Sequence, residues 1–186
     1  MVIPKYIIDA FQHIIGLQLT CIGHALDMRP FGIGPLSDVF DSCGRTEWYS
    51  PHGLNIQCPW RIENGSTILT GSRDWYEPAD PKADIGISWT GSDGVSLQEL
   101  KLRELFRDHD AACKVLVNQT DALWITDVAV DLFGGLAIGL TPGWCLRVFP
   151  CAARFEEWRL LDFEKDRSYR LEGLEFHTYP NVEGEH

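Results

Sequence analysis

The sequence has no closely spaced pair of cysteines and no segment resembling a secretory leader. Its first residues lack both a basic stretch and a continuous apolar run. Disulfide frameworks are typical of secreted chains, so we expect reduced, mostly buried thiols in a cytoplasmic protein. The six cysteines are Cys21, Cys43, Cys58, Cys113, Cys145 and Cys151.

Long apolar runs and basic patches are also missing. No run approaches the roughly 18 apolar residues of a membrane-spanning helix. Lys and Arg number 16 against 27 Asp and Glu, a net charge of −11. The nearest basic candidate, Lys101-Leu102-Arg103, lies between Glu99 and Glu104. Such a chain repels nucleic-acid phosphates and anionic membranes, so we expect neither as a partner. The acidity serves solubility, or it favours a basic protein partner.

Motifs with a known chemistry are absent too. There is no G-x-S-x-G, and no glycine-rich phosphate loop follows a strand. Cys58 falls on the apolar face of a predicted strand, which favours an inert, buried thiol. We interpret Asp108-His109-Asp110 as a solvated helix end, and Cys43, His52 and Cys58 lack the paired spacing of a zinc site. We therefore expect no metal and no cofactor, and catalysis is disfavoured but left open.

What the sequence does contain is typical of one folded unit. Its 186 residues, 45% hydrophobic and 23% charged, suffice for one core and are few for two domains. We predict a single domain over residues 1–186, with a disordered polar tail at 181–186. The spacing of apolar residues predicts helices near residues 5–15 and 97–107. Ser96 and Glu99 form a capping box at the start of the second helix.

Alternating apolar and polar residues predict antiparallel sheet in the first half of the chain. We predict one strand over residues 17–29, ended by the Pro- and Gly-rich segment 30–35. Residues 35–52 show no period and are predicted to form a long surface loop. A strand over residues 54–62 follows.

Turn signals organise the next segment. Asn64-Gly65 predicts a hairpin whose return strand covers residues 67–70. Residues 71–95 are rich in Gly, Ser, Asp and Pro and are predicted to form a loop region.

The last third predicts a three-stranded antiparallel meander over residues 124–148. Segments 155–161 and 169–176 are expected to add further strands. The sequence Trp60-Arg61 is repeated at Trp158-Arg159, which would fit a duplicated β unit or chance similarity. The predicted class is α+β, mainly antiparallel sheet with two helices.

Five segments carry a resemblance to a known group of proteins. They are Leu54-Asn55-Ile56-Gln57-Cys58-Pro59-Trp60-Arg61, Gly71-Ser72-Arg73-Asp74, Gly135-Leu136-Ala137-Ile138, Leu146-Arg147-Val148-Phe149-Pro150 and Glu157-Trp158-Arg159. Together they resemble a family of small uncharacterised bacterial proteins with a Gln-Cys-Pro-Trp-Arg strand and a later Glu-x-Trp-Arg segment. This resemblance covers about residues 50–160 and implies no activity and no site residues. The meander is more loosely similar to toxin-immunity proteins, which are small, often acidic and rich in sheet.

Two arginines are candidates for anion binding. Arg61 and Arg73 could face each other across the predicted hairpin and form a cationic fork for a carboxylate or phosphate. Alternatively, Arg61 is structural and pairs with Asp74 or Glu63.

The seven tryptophans divide into two groups. Trp48, Trp75 and Trp89 lie in predicted loops near acidic residues, where they could form a binding rim or fold back into the protein. Four others follow strand patterns and are expected to pack inward: Trp60, Trp124, Trp144 and Trp158.

Two hypotheses of function result. The first is a non-catalytic acidic interaction protein, of immunity type, that binds a basic protein through loops around residues 35–50 and 74–93. The alternative is a small-molecule binder or small enzyme with a pocket around Trp60, Arg61, Arg73 and Asp74, beside Cys58 or His52. A homodimer paired through sheet edges is a third possibility.

Overall fold

The computed structural model describes residues 2–26, 28–40, 46–81, 95–109 and 115–180. These residues form two α-helices, α1 (Lys5–Gln12) and α2 (Leu97–Phe106), and a short 3-10 helix (Ser72–Tyr76). The strands are β1 (Leu19–Ile22), β2 (Arg29–Ile33), β3 (Ser37–Phe40), β4 (Thr46–Tyr49), β5 (His52–Ile56), β6 (Trp60–Glu63), β7 (Ile68–Gly71), β8 (Leu116–Val117), β9 (Ile125–Val130), β10 (Leu136–Leu140), β11 (Trp144–Val148), β12 (Glu156–Asp162), β13 (Arg167–Glu172) and β14 (Glu175–Pro180).

The strands form antiparallel sheets. One has seven strands in the order β14-β13-β12-β5-β2-β1-β8, and another has five in the order β7-β6-β11-β10-β9. The strands β3 and β4 form a two-stranded sheet of their own. The predicted α+β class, with mainly antiparallel sheet and two helices, is confirmed.

The chain passes from one large sheet to the other at residues 57–59. Our prediction of one strand over residues 54–62 is wrong, because β5 ends at Ile56 in the seven-stranded sheet and β6 begins at Trp60 in the five-stranded sheet. Pro59 has no N–H to continue a ladder, although its carbonyl oxygen accepts a hydrogen bond from the Phe149 N–H at 2.8 Å. The side chain of Cys58 is buried in this crossing. Buried and exposed residues therefore continue to alternate along the chain, although the strands before and after the crossing belong to different sheets.

The predicted strand over residues 17–29 is wrong as well. It is divided into β1 and the start of β2, and the segment expected to end it lies largely inside β2. The reason is that Arg29, Phe31 and Ile33 alternate and are all buried. This period of two extends through Pro30 and Gly32 and outweighs their preference for turns.

The surface loop predicted for residues 35–52 instead contains β3 and β4, which pair from Ser37↔Tyr49 to Phe40↔Thr46. These two strands pair only with each other. Their sequences, Ser-Asp-Val-Phe and Thr-Glu-Trp-Tyr, carry no alternation of apolar and polar residues that would predict strands. Residues 41–45 lie outside the described part of the chain.

The meander at residues 124–148 is confirmed, since β9, β10 and β11 pair in succession. Segment 155–161 does form a strand, but β12 pairs with β5 and β13 in the other sheet, so it does not extend the meander. The single strand predicted for residues 169–176 is two strands, because Gly173 and Leu174 both have positive φ and form a hairpin turn. The predicted tail at 181–186 lies outside the described residues.

One hydrophobic core contains residues from both large sheets and from α1. Phe31 of β2 meets Trp60 of β6 in a T-shaped contact at 5.5 Å between ring centroids. Phe11 of α1 meets Trp158 in the same way at 5.4 Å. Trp60 and Trp158 are buried as predicted, whereas Trp124 is 39% exposed at the start of the meander and Trp144 is only partly buried.

Helix α2 covers β7 and the 3-10 helix. The Ser96 side chain accepts a hydrogen bond from the Glu99 N–H at 3.1 Å, as its capping position predicts. Arg107, in the left-handed conformation, ends the helix. Neither described helix has the length and apolar content needed to span a membrane.

Candidate functional site

A cavity of about 360 Å³ opens where the chain crosses between the two large sheets. Residues 57–60 of the crossing form one side, and the 3-10 helix and α2 form the other. We call it the arginine pocket, and its defining side chains are Arg29, Cys58, Trp60, Arg73, Trp75 and Gln98.

Arg29 is placed in this pocket by the register of the seven-stranded sheet. Its Cα pairs with Ile56, which in turn pairs with Trp158 of β12. Side chains opposite each other in neighbouring strands share one face of a sheet. Arg29 therefore extends from the same face as these buried neighbours, and only 4% of it is exposed.

The guanidinium of Arg29 has few partners for a buried cation. One nitrogen, Nη1, donates to the Gly23 carbonyl oxygen at 3.1 Å, and the group lies 4.7 Å from the centre of the Trp75 ring. Its other terminal nitrogen, Nη2, is buried without a hydrogen-bond partner in the described part of the chain. Burial lowers the pKa of Arg29 to about 10, against the opposing effect of Glu99. It stays a cation at neutral pH.

Gln98 adds an acceptor to the pocket. It is 1% exposed, and its Nε2 donates to the Gly71 carbonyl oxygen at 2.6 Å. This bond fixes the orientation of the side-chain amide, because a carbonyl can only face the NH₂ end. The Oε1 atom then has no hydrogen-bond partner among the described residues. The pocket thus holds one buried donor and one buried acceptor that need a counterpart.

Aromatic side chains build the walls. The Trp75 ring lies 4.0 Å from that of His24, tilted by 36°, and Arg29 lies against Trp75. Trp60 is buried and lines the pocket, while Tyr76 is 57% exposed at its mouth. The pocket therefore combines aromatic side chains with a few buried polar groups, as small-molecule sites commonly do.

Cys58 lies in the pocket as a protonated thiol. Burial and then the carboxylate of Glu157 raise its pKa far above the usual value. Glu157 is itself buried and accepts hydrogen bonds from the N–H groups of Cys151, at 3.0 Å, and Ala152. A thiol held in this form is a poor nucleophile at neutral pH.

Arg73 and Trp75, two of the residues singled out from the sequence, lie together in the arginine pocket. Arg61 does not line it. Its guanidinium donates to the Glu63 carboxylate at 2.7 Å and lies over the Phe149 ring at 5.0 Å. The structural alternative for Arg61, a pair with Glu63, is the one observed.

The other candidates are dispersed. Asp74 accepts a hydrogen bond from Lys101 of α2 at 3.1 Å. Trp48 lies in β4, and its side chain is outside the described part. His52 lies in β5 opposite Asp162 of β12, and it is not among the residues that line the arginine pocket.

Arg29 and Gln98 were not singled out from the sequence. For Arg29 a signal was present, since a charged residue at a position that alternates with Phe31 and Ile33 falls on the buried face of the strand. Gln98 offers no comparable signal, because only the packing of α2 on β7 brings it to the pocket.

The acidic loops of the interaction hypothesis fall partly outside the described structure. Residues 41–45 and 82–93 belong to those loops and are not described. Binding of a basic protein therefore stays a prediction, as does a homodimer.

No protein-family model, curated protein or solved structure matches the chain. The resemblance to small bacterial proteins and the looser likeness to immunity proteins also stay predictions.

Proposed function

We propose that the protein binds a small organic anion in the arginine pocket, a carboxylate or phosphate ester carrying an aromatic or apolar group. The observation that carries this proposal is the guanidinium of Arg29, buried with a nitrogen that lacks a hydrogen-bond partner among the described residues. Buried polar groups are almost always satisfied, and an exception calls for a water, an ion or a ligand. For a cationic donor, an anion is the fitting counterpart.

Other features of the pocket support an organic anion rather than a simple ion. Arg73 adds a second cation at the mouth, and Gln98 Oε1 can accept a hydrogen bond from a ligand hydroxyl or amine. Trp60, Trp75 and Tyr76 line the pocket and can contact an apolar group at its walls. The volume of about 360 Å³ lies at the lower end of small-molecule sites, so a metabolite-sized ligand fits best.

Recognition rather than covalent chemistry is the activity that these groups support. The thiol of Cys58 is kept protonated, and Arg29 and Gln98 offer a donor and an acceptor rather than an acid or a base. We therefore propose a ligand-binding protein, not a cysteine hydrolase.

The test compares anions with neutral molecules of the same shape. Thermal unfolding is measured with inorganic phosphate, benzoate, phenyl phosphate and the neutral benzamide. We expect benzoate or phenyl phosphate to raise the melting temperature, because the anion satisfies Arg29 while the ring contacts the aromatic walls. Benzamide should have no comparable effect. An equal shift with benzamide would contradict an anion site.

Two variants locate the binding, with calorimetry as the readout. Arg29→Met keeps the length of the side chain but removes the donor, and we expect affinity for the active anion to fall at least about tenfold, in line with the loss of a charged hydrogen bond. Arg61→Met removes an arginine outside the pocket and should leave affinity unchanged. If both variants bind alike, the ligand does not occupy the arginine pocket.

A further inference from the structure

A second cluster of polar side chains lies at the end of β5 and β12, away from the residues that line the arginine pocket. His52 and Asp162 are Cα partners in these neighbouring strands, and Glu164 follows in the turn after β12. His52 is 7% and Asp162 4% exposed, whereas Glu164 is exposed. One ligand atom from each of the three lies within 4.8 Å of the others.

The contact between His52 and Asp162 does not have the geometry of a hydrogen bond. The His52 Nδ1 atom lies 3.7 Å from Asp162 Oδ1, beyond the usual range for such bonds. The imidazole of His52 makes no hydrogen bond to another described residue, whereas its backbone pairs with β2 and β12. Two ligands on one zinc-like ion, each bound at about 2.0–2.2 Å, lie roughly 3–4 Å apart. The observed separation fits an ion between the two side chains.

Lys165 orients the carboxylate of Asp162. Its backbone N–H donates to Oδ1 at 3.1 Å and its ammonium donates to Oδ2 at 2.9 Å. Outer contacts of this kind commonly position metal-binding carboxylates.

Two carboxylates, those of Asp162 and Glu164, lie beside His52, and the Lys165 ammonium contacts the first of them. A neutral imidazole such as that of His52 can donate a nitrogen lone pair to a metal ion.

We propose that His52, Asp162 and Glu164 bind one divalent transition-metal ion of the zinc type. One imidazole and two carboxylates suit first-row ions, whereas calcium and magnesium prefer oxygen ligands alone. Three protein ligands leave a position for water or another molecule. His52 also lines an apolar cavity of about 570 Å³ with Tyr49 and Phe163, which gives such a molecule room.

The experiment is calorimetric titration of the full chain with Zn²⁺. Cys151 is an exposed thiol that can bind zinc on its own, so the titration is done in a Cys151→Ser background. We expect one equivalent of Zn²⁺ to bind. Glu164→Gln should weaken that binding at least about tenfold, as losses around metal sites typically do. Because Glu164 is exposed, this variant can be made without disturbing the core.

His177→Ala provides the matched control. His177 Nε2 lies 3.9 Å from Glu175 Oε2 at the surface of β14, and His177 belongs to no three-residue group of possible metal ligands among the described residues. Its loss should leave Zn²⁺ binding unchanged. Co²⁺ provides a spectroscopic check, since nitrogen and oxygen ligands give visible bands without the strong thiolate band in the near ultraviolet.

Three outcomes would overturn the proposal. The first is a titration without saturable binding near one equivalent. The second is binding that Glu164→Gln leaves unchanged, and the third is a Co²⁺ spectrum dominated by thiolate; either of these two would assign the ion to other groups.

Discussion

Arg29 occupies a strand position whose alternate neighbours, Phe31 and Ile33, are fully buried. Moving a cation out of water costs several kcal/mol, even after the protein relaxes. One hydrogen bond from a charged group returns about 1.5–3 kcal/mol, and one contact with Trp75 returns about 0.5–2 kcal/mol. The charge at position 29 therefore stabilises the fold less than an apolar side chain would. Residues that reduce the stability of the fold in this way are typical of binding sites.

We expect Arg29→Met to raise the free energy of unfolding in the absence of ligand by about 1 kcal/mol, because it removes an incompletely paired buried charge. Arg159→Met is the contrasting control, since Arg159 donates to both oxygens of Glu156 at 2.9 and 3.0 Å. Its loss should lower the free energy of unfolding. Urea unfolding measures both variants, and a destabilised Arg29→Met protein would show that the guanidinium is already well compensated.

At the scale of elements, the predictable parts were those with local signals. Helix α2 has its cap at Ser96, and the meander has tight turns between alternating strands. The crossing at residues 57–59 and the placement of β12 could not be predicted, because alternation reports that a face is buried but not which sheet the strand joins.

The candidate site divides in the same way. The sequence singled out Cys58, Trp60 and Arg73, because they belong to two short segments that end at Arg61 and Asp74. All three line the arginine pocket. Arg29 and Gln98 reach it only through strand pairing and helix packing between distant parts of the chain. Contacts between residues that are far apart in the sequence can hardly be predicted from the local spacing of apolar and polar residues.

The adjacent strands β6 and β11 are joined by an ion cluster on the exposed face of the five-stranded sheet. Glu63 accepts from Arg147 at 2.5 Å and from Arg61 at 2.7 Å. The hydrogen bond from Arg147, followed by that from Arg61, lowers the pKa of Glu63 below its ordinary 4.5 despite partial burial. The folded protein therefore binds this proton less readily than the unfolded chain does.

This difference sets the sign of a pH effect. The stabilisation is fully present above pH 4.5 and is lost as the pH falls through the lower pKa of the folded state. We expect Glu63→Gln to lower the free energy of unfolding by about 0.5–1 kcal/mol at neutral pH, since the pairs are partly exposed. The difference from the unsubstituted protein should shrink in acid. Urea unfolding of both proteins at neutral and at acidic pH measures this difference. Glu175→Gln, a substitution at an exposed position, should not lower the free energy of unfolding.

At the scale of the molecule, the two large sheets are interleaved along the chain. The seven-stranded sheet takes strands from both ends and the middle of the sequence, and the five-stranded sheet takes the segments between. Neither sheet is therefore a continuous piece of chain that could fold before the other. Their inner faces share one core, which Phe31 and Trp60 join directly.

We therefore expect the chain to unfold in a single transition, as one domain does. Circular dichroism reports the sheets, and tryptophan fluorescence reports the shared core around Trp60 and Trp158. Both signals should give the same urea midpoint.

Leu54→Ala in the seven-stranded sheet and Ile138→Ala in the five-stranded sheet remove fully buried side chains, so each should lower the free energy of unfolding by about 2–5 kcal/mol. Each variant should shift both signals together, because damage to either sheet exposes the core of both. Separate midpoints, or a variant that moves only one signal, would mean that the sheets are independent units.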